Sequence, residues 1–285
     1  MPINTHTRLS ISVFAKKNKY RLYFKAFIRP LFRKLEEAGY LMDFQIMLNN
    51  VSGDNIRLVL VIANNMQTEV IAILQTNFAD FINCHALHPK ACKNEQQSIF
   101  MNFPVNSIQY GLFSTRGFVD DPTAAMLRKG VSKMMIGLFC QENVDDDLLV
   151  TFAVCIWFSW IRVLLNSNSI SADQITETLT PLNIDVSEEG YLLDSYNILI
   201  PYLAEFYRII IGSRNYKHEF NWLEGWEITL HSVINQGCCL KDFMCISSRL
   251  NSLIKVQLSL SGYADSLVNF LVKHFLGNQV SDSIL

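Results

Sequence analysis

Three groups of residues have types and spacings that could do chemistry. The first is Cys84-His85-Ala86-Leu87-His88-Pro89-Lys90-Ala91-Cys92. Cys84 and His88 stand at i, i+4 and would share a helix face. Zinc takes four thiolate or imidazole ligands, and no second ligand pair follows at standard spacing, so the run reads as a helix end with a proline loop and no metal is expected. The second group is the cationic pair Arg57 and Arg116. Arg57 sits between Ile56 and Leu58 in an alternating run, and its guanidinium points away from the large aliphatics, on the side of Val59 and Val61. An arginine among apolar residues is usually ion-paired or grips a carboxylate with both arms of its fork. Arg116 lies in Ser114-Thr115-Arg116-Gly117, a loop just after an extended stretch. The third group is a basic arm. Arg8, Lys16, Lys17, Lys19, Arg21, Lys25, Arg29, Arg33 and Lys34 face only Glu36 and Glu37 before residue 40. That arm is either a solvated helix face or a surface for an anionic partner. No P-loop, GxGxxG, HExxH or GxSxG motif occurs.

The elements that must position these groups follow from periodicity. Residues 9–15 read as a first strand. Residues 20–38 read as an amphipathic helix, with Phe24, Phe27, Ile28, Leu31 and Leu35 on one face, a kink or late start at Pro30, and Gly39 as its C-cap. Phe44, Ile46 and Leu48, then Ile56, Leu58, Leu60 and Ile62, alternate about a turn-rich linker and predict a β-hairpin over 44–62. Helices are predicted over 66–83, 122–139, 146–166, 172–180, 190–212, 221–236, 240–260 and 262–276, with an extended stretch at 98–113. Strands therefore precede residue 115 and helices follow it. That order predicts an α+β fold, an N-terminal antiparallel sheet with a hairpin and then a mainly helical C-terminal half, read as one domain over 1–285. An exposed edge of that sheet, with its basic flank, is the expected platform for a peptide strand.

Composition excludes several classes. The chain has 285 residues, 24 Lys plus Arg against 26 Asp plus Glu, a formal charge of −2, and is 50% apolar and 18% charged. A disordered chain is excluded, as is a globally basic nucleic-acid module. The seven cysteines are odd in number and unpatterned, and MPINTHTRLSISVFAKK does not read as an export signal. Reduced thiols in the cytoplasm are expected. Residues 148–165 are nearly long enough to cross a bilayer, which takes about 20 apolar residues. Asp145, Asp146 and Asp147 directly before them are good helix N-cap and dipole partners, and a buried helix is expected rather than a membrane span.

The stretch YFKAFIRPLFRKLEEAGYLMDFQIMLNNVSGDNIRLVLVIAN resembles the start of the thiopeptide-type bacteriocin biosynthesis domain. That family includes the glutamate-elimination domain of class I lanthipeptide dehydratases and stand-alone relatives. The family's second hairpin strand resembles HLRLR. Here it is Asn55-Ile56-Arg57-Leu58-Val59, with the first arginine kept, Val59 at the second and Asn55 at the histidine. Thr115-Arg116-Gly117-Phe118 is similar to an RYGG-like turn. Ser247-Ser248-Arg249-Leu250-Asn251-Ser252-Leu253 is similar to a HMHxNRL-like run, with Ser247 at the first histidine.

The resemblance implies maturation of a ribosomally synthesised peptide of the lanthipeptide or thiopeptide type, and most directly loss of glutamate from glutamylated Ser or Thr to leave dehydroamino acids. Cations would steady the enolate and the departing carboxylate, and an acid or base titrating near neutrality would move the proton. Arg57, Arg116 and Ser247 fall on the implied catalytic positions, with Tyr110, His218 or His231 as stand-ins for the missing histidine. Two alternatives come with the same resemblance: a cycloaddition that closes a pyridine-type macrocycle, and a non-catalytic partner that binds precursor within a split dehydratase. The implied partners are a precursor (leader) peptide and a glutamylating dehydratase protein, with no cofactor, direct nucleic-acid contact or membrane, and with a homodimer open.

Overall fold

A computed structural model of the chain describes residues 6–50, 53–89, 103–115, 121–166, 174, 179, 189–212, 221–223, 225–235, 240–260 and 262–282. The fold is α+β and the chain forms two compact units. The first comprises residues 1–145 with 257–259, and the second residues 146–256 with 260–285.

The first unit is built on a four-stranded antiparallel sheet in the order β2-β3-β1-β4. Its strands are β1 (His6–Phe14), β2 (Leu41–Asn49), β3 (Asn55–Ala63) and β4 (Ser107–Tyr110). The predicted hairpin is β2 with β3, and a bulge between Leu41 and Asp43 shifts its register at the far end. Side chains alternate across a strand, and Leu9, Ile11 and Val13 share a face with Ile46, Leu48, Ile56, Leu58 and Leu60, all buried. The opposite face is buried as well. It carries Ser10, Ser12, Gln45, Met47, Val59 and Val61. Alternation alone predicted one packed face; two covered faces follow from contacts that strand periodicity does not encode.

The helix predicted over 20–38 forms in three pieces: α1 (Tyr20–Tyr23), a π turn (Phe24–Ile28) and α2 (Arg29–Glu37). Pro30 has no N–H to donate to the preceding turn, and it sits at the start of α2 directly after the π turn. The helix ends as Gly39 dictates. Gly39 adopts φ +69, its N–H donates to Glu36 O and the Tyr40 N–H to Leu35 O, the two bonds of a Schellman cap. Aromatic pairs fill this core. Tyr23 meets Phe81 of α3 (Gln67–Cys84) at 4.7 Å, and Phe32 meets Phe44 of β2 at 4.5 Å.

The outer edge of β2 is closed at Ile46 by α4 (Pro122–Phe139), which takes this edge, though not that of β4, from a peptide strand. The Ile46 N–H donates to Ser132 Oγ at 2.9 Å, and Gln257 Nε2 donates to Ile46 O at 2.9 Å. Ser132 Oγ donates in turn to Arg128 O and accepts from Gln257 Nε2. Arg128, almost fully buried, pairs with Asp43 at 3.6 Å. The backbone groups a strand would need at Ile46 are already taken.

The second unit is helical: α5 (Asp146–Asn166), α6 (Glu189–Tyr207) running into a π turn (Arg208–Gly212), α7 (Trp226–Ile234), α8 (Leu240–Leu258, whose last two residues belong to the first unit) and α9 (Gly262–Asp282). The helix expected from 221 instead begins at Trp226. Gly225, at φ +74, is its N-cap, and a 3-10 turn occupies Asn221–Leu223. The predicted 172–180 helix falls mostly outside the described residues. Helix α5 is long and apolar enough to span a bilayer, but 72% of that stretch is buried within the protein. Its one cation, Arg162, pairs with Glu227 at 3.0 Å and donates to Ile210 O. Phe158 of α5 packs on Tyr207 and Phe275 at 5.5 and 5.6 Å.

Candidate functional site

Arg57 lies in the middle of β3, so its backbone is fixed by ladders on both sides: Ser12 of β1 pairs with it on one flank and Met47 of β2 on the other. Its side chain leaves the face that carries Ser10, Ser12 and Gln45. The guanidinium lies over the ring of Phe113 at 3.9 Å from the centroid. Stacking of this kind on an aromatic face is worth about 0.5–1 kcal/mol at an exposed site and more when desolvated. It holds the planar fork without consuming its N–H donors. Arg57 Nε is buried and donates to nothing among the described residues. Partial burial pushes the Arg57 pKa below its ordinary value, yet an arginine stays charged through any such shift.

Next to it, Ser12 is 1% exposed and Ser10 8%, and neither hydroxyl has a hydrogen-bond partner among the described residues. Ser12 stands in register with both Arg57 and Gln109 of β4. Buried polar atoms ordinarily find partners. Arg57, half-buried beside them, carries the planar fork whose chemistry suits a carbonyl or carboxylate.

A node at Asn106 positions the Phe113 segment. Asn106 enters the left-handed region at φ +64. Its N–H donates to Phe14 O at 2.7 Å, its Oδ1 accepts from Tyr23 Oη at 2.9 Å, and its Nδ2 donates to His88 O at 2.9 Å. Three distant segments are thereby tied to the start of β4, which carries the chain on to Phe113. The only local hint of this was the Pro104-Val105-Asn106 turn. Phe113, Ser12 and Asn106 carry no motif: Ser12 meets Arg57 through sheet pairing, Phe113 by stacking on it, and Asn106 anchors the segment that leads to Phe113.

The other implied positions fare differently. Val59, where the family has a second arginine, is 3% exposed and forms an apolar cluster with Met47 and Val61. Asn55, at the histidine position, is fully buried, and its Nδ2 donates to Gly53 O at 2.8 Å. Ser247 lies on α8 in the second unit, fully buried, and its Oγ accepts from Trp160 Nε1 at 2.9 Å. Arg116 and His218 lie outside the described residues. Tyr110 pairs with Ile11, on the other face of the sheet from Arg57, and burial pushes its phenol pKa up. His231 is exposed on α7. Cys84 is an exposed thiol at the end of α3, and Cys92 is outside the described residues.

No family model matches the chain, and no curated protein does. Solved structures do. The pyridine synthase TbtD from thiomuracin biosynthesis superposes with a TM-score of 0.64 at 11% identity, over 96% of this chain and 99% of that one. The tRNA-dependent lantibiotic dehydratase MibB from Microbispora sp. 107891 superposes with a TM-score of 0.61 at 9% identity, over 99% of this chain. This chain spans only 29% of MibB's length. TsrL superposes with a TM-score of 0.56 at 9% identity, over 98% of this chain and 96% of TsrL. The chain therefore has the fold that a pyridine synthase and a part of a lantibiotic dehydratase share, which is the fold the hairpin resemblance implied.

Proposed function

We propose that the chain matures a ribosomally synthesised peptide of the thiopeptide or lanthipeptide type. The observation that carries this reading is Arg57. It is a strand-fixed cation stacked on Phe113, at the position where the hairpin resembles the family's arginine strand. The end-to-end match with a pyridine synthase supports the same reading.

Between the two chemistries, ring-forming cycloaddition is the better supported. Joining two dehydroamino acids asks the protein to orient them and to polarise a carbonyl, which a fixed cation does. Eliminating glutamate also needs a group that titrates near neutrality. Among the described residues, Val59 and Asn55 stand at two of the implied positions, and at the third the Ser247 oxygen is engaged by Trp160. Elimination, with Arg57 and Arg116 steadying the leaving carboxylate, is retained as the second reading because of the likeness to MibB. In either case the proposed partners are the precursor peptide and a glutamylating protein that prepares it, in the cytoplasm.

Co-expression with precursor and glutamylating protein, read by mass spectrometry, tests this. Losing one such donor costs about 100- to 1000-fold in rate, so Arg57→Ala should stall the pathway while the protein stays folded. A linear dehydrated peptide accumulates if the step is cycloaddition, and a glutamylated one if it is elimination. A folded Arg57→Ala variant that matures the peptide normally overturns the assignment.

A further inference from the structure

A second charged feature lies away from Arg57. Between the π turn, α2 and α4 runs a groove of about 560 Å3 whose floor is closed by Phe32 and Phe44. Its rim carries four cations, Lys25, Arg29, Arg33 and Lys133, against one carboxylate, Glu36. All four cations are exposed. Lys25 and Arg29 have no carboxylate partner among the described residues. The two ion pairs present are weak surface pairs: Arg33 with Glu37 at 3.6 Å, side chains 77% and 70% exposed, and Lys133 with Glu36 at 3.8 Å. Exposed pairs of this kind contribute little and exchange readily for a better partner. In a chain of net charge −2, such a concentration of one sign on two helices is a local feature, not a property of the whole surface.

We propose that this groove binds an acidic peptide segment, with its carboxylates on Lys25, Arg29, Arg33 and Lys133 and an apolar side chain against Pro30 and Ile136. The groove favours a peptide over RNA for two reasons. Phe32 and Phe44 are 2% and 1% exposed, so neither ring offers the stacking platform that single-stranded RNA uses. Glu36 within the cationic rim repels a phosphate backbone, whereas a peptide can place an N–H or a neutral side chain there. The natural occupant rests on the maturation reading above: an acidic stretch of the precursor, held by the first unit while another stretch is processed. Arginine supplies planar forks for carboxylates at two of the four positions.

The test uses the whole protein and a fluorescein-labelled peptide of alternating Glu and Leu, followed by anisotropy. The wild type binds it, and affinity falls as salt rises. Arg29→Glu with Lys133→Glu weakens binding by roughly tenfold or more, since like charges then face each other, and circular dichroism shows the fold retained. Lys25→Gln with Arg33→Gln, a milder variant, weakens it less. Equal binding by the charge-reversed protein overturns the proposal. So does equal binding of a Gln-Leu peptide, or tighter binding of oligouridine of matched charge. Peptide binding without any maturation activity supports the groove and refutes the maturation reading. Maturation that proceeds with no binding at the groove refutes the groove alone.

Discussion

Ser247 offers the sharpest test of the residue roles. It stands at a histidine position of the resemblance, yet the structure uses its oxygen to accept the Trp160 indole N–H at 2.9 Å, with both side chains fully buried. Ser247→Ala leaves that N–H without an acceptor in the core of the second unit. An unsatisfied buried donor costs about 1–3 kcal/mol. In urea the midpoint should fall while the slope stays unchanged, since the surface exposed on unfolding is the same. Trp160→Phe removes the donor and costs its own packing. Because the double variant has no orphaned donor, its loss should be smaller than the sum of the two, with a coupling of about 0.5–3 kcal/mol. Maturation by the folded Ser247→Ala protein should be close to that of the wild type. Additive losses, or an unchanged stability with abolished maturation, would refute the structural role and make Ser247 a reacting group.

Three further expectations rest on local geometry. Ser132→Ala frees the Ile46 N–H at the closed edge of β2 and should cost about 1–3 kcal/mol; hydrogen exchange at the Ile46 amide should quicken, and an unchanged rate would show that the edge is covered in another way. Gly39→Ala meets no atom within 4 Å, so its cost is that of holding φ +69 alone, about 1–2 kcal/mol; a urea midpoint identical to the wild type contradicts the cap. Burial pushes the Cys155 thiol up to about 12 from 9.0. A thiol harder to ionise when folded stabilises the protein fully below the unfolded pKa and loses that contribution as pH rises through the folded one. Stability should therefore decline from pH 9 toward 12, Cys155→Ala should flatten part of that decline, and at pH 8 a thiol reagent should label exposed Cys84 and spare Cys155.

Elements whose causes lie within a turn or two of the residue concerned were legible from local sequence. Gly39 ended α2 because only glycine enters the left-handed region freely. Period-two runs over 44–62 made the hairpin, and 122–139 and 146–166 form helices with those bounds. Arg57 was legible for the same reason: alternation alone says which side of a strand it leaves. What surrounds it was not. Phe113 is 56 residues away in the chain, Ser12 is 45 away on another strand, and Asn106 ties together segments that no local pattern links. The helix of 146–166 shows the same division. Its acidic start marked it as a helix, but whether Arg162 would reach water or a partner was decided by Glu227, 65 residues on. Tertiary structure likewise gave Ser247 to Trp160 and closed β2 with Ser132 and Gln257. Local periodicity fixes the direction in which a side chain leaves the backbone. Its partner is fixed by which distant segments share the burial of apolar surface, and that information is spread over the whole chain.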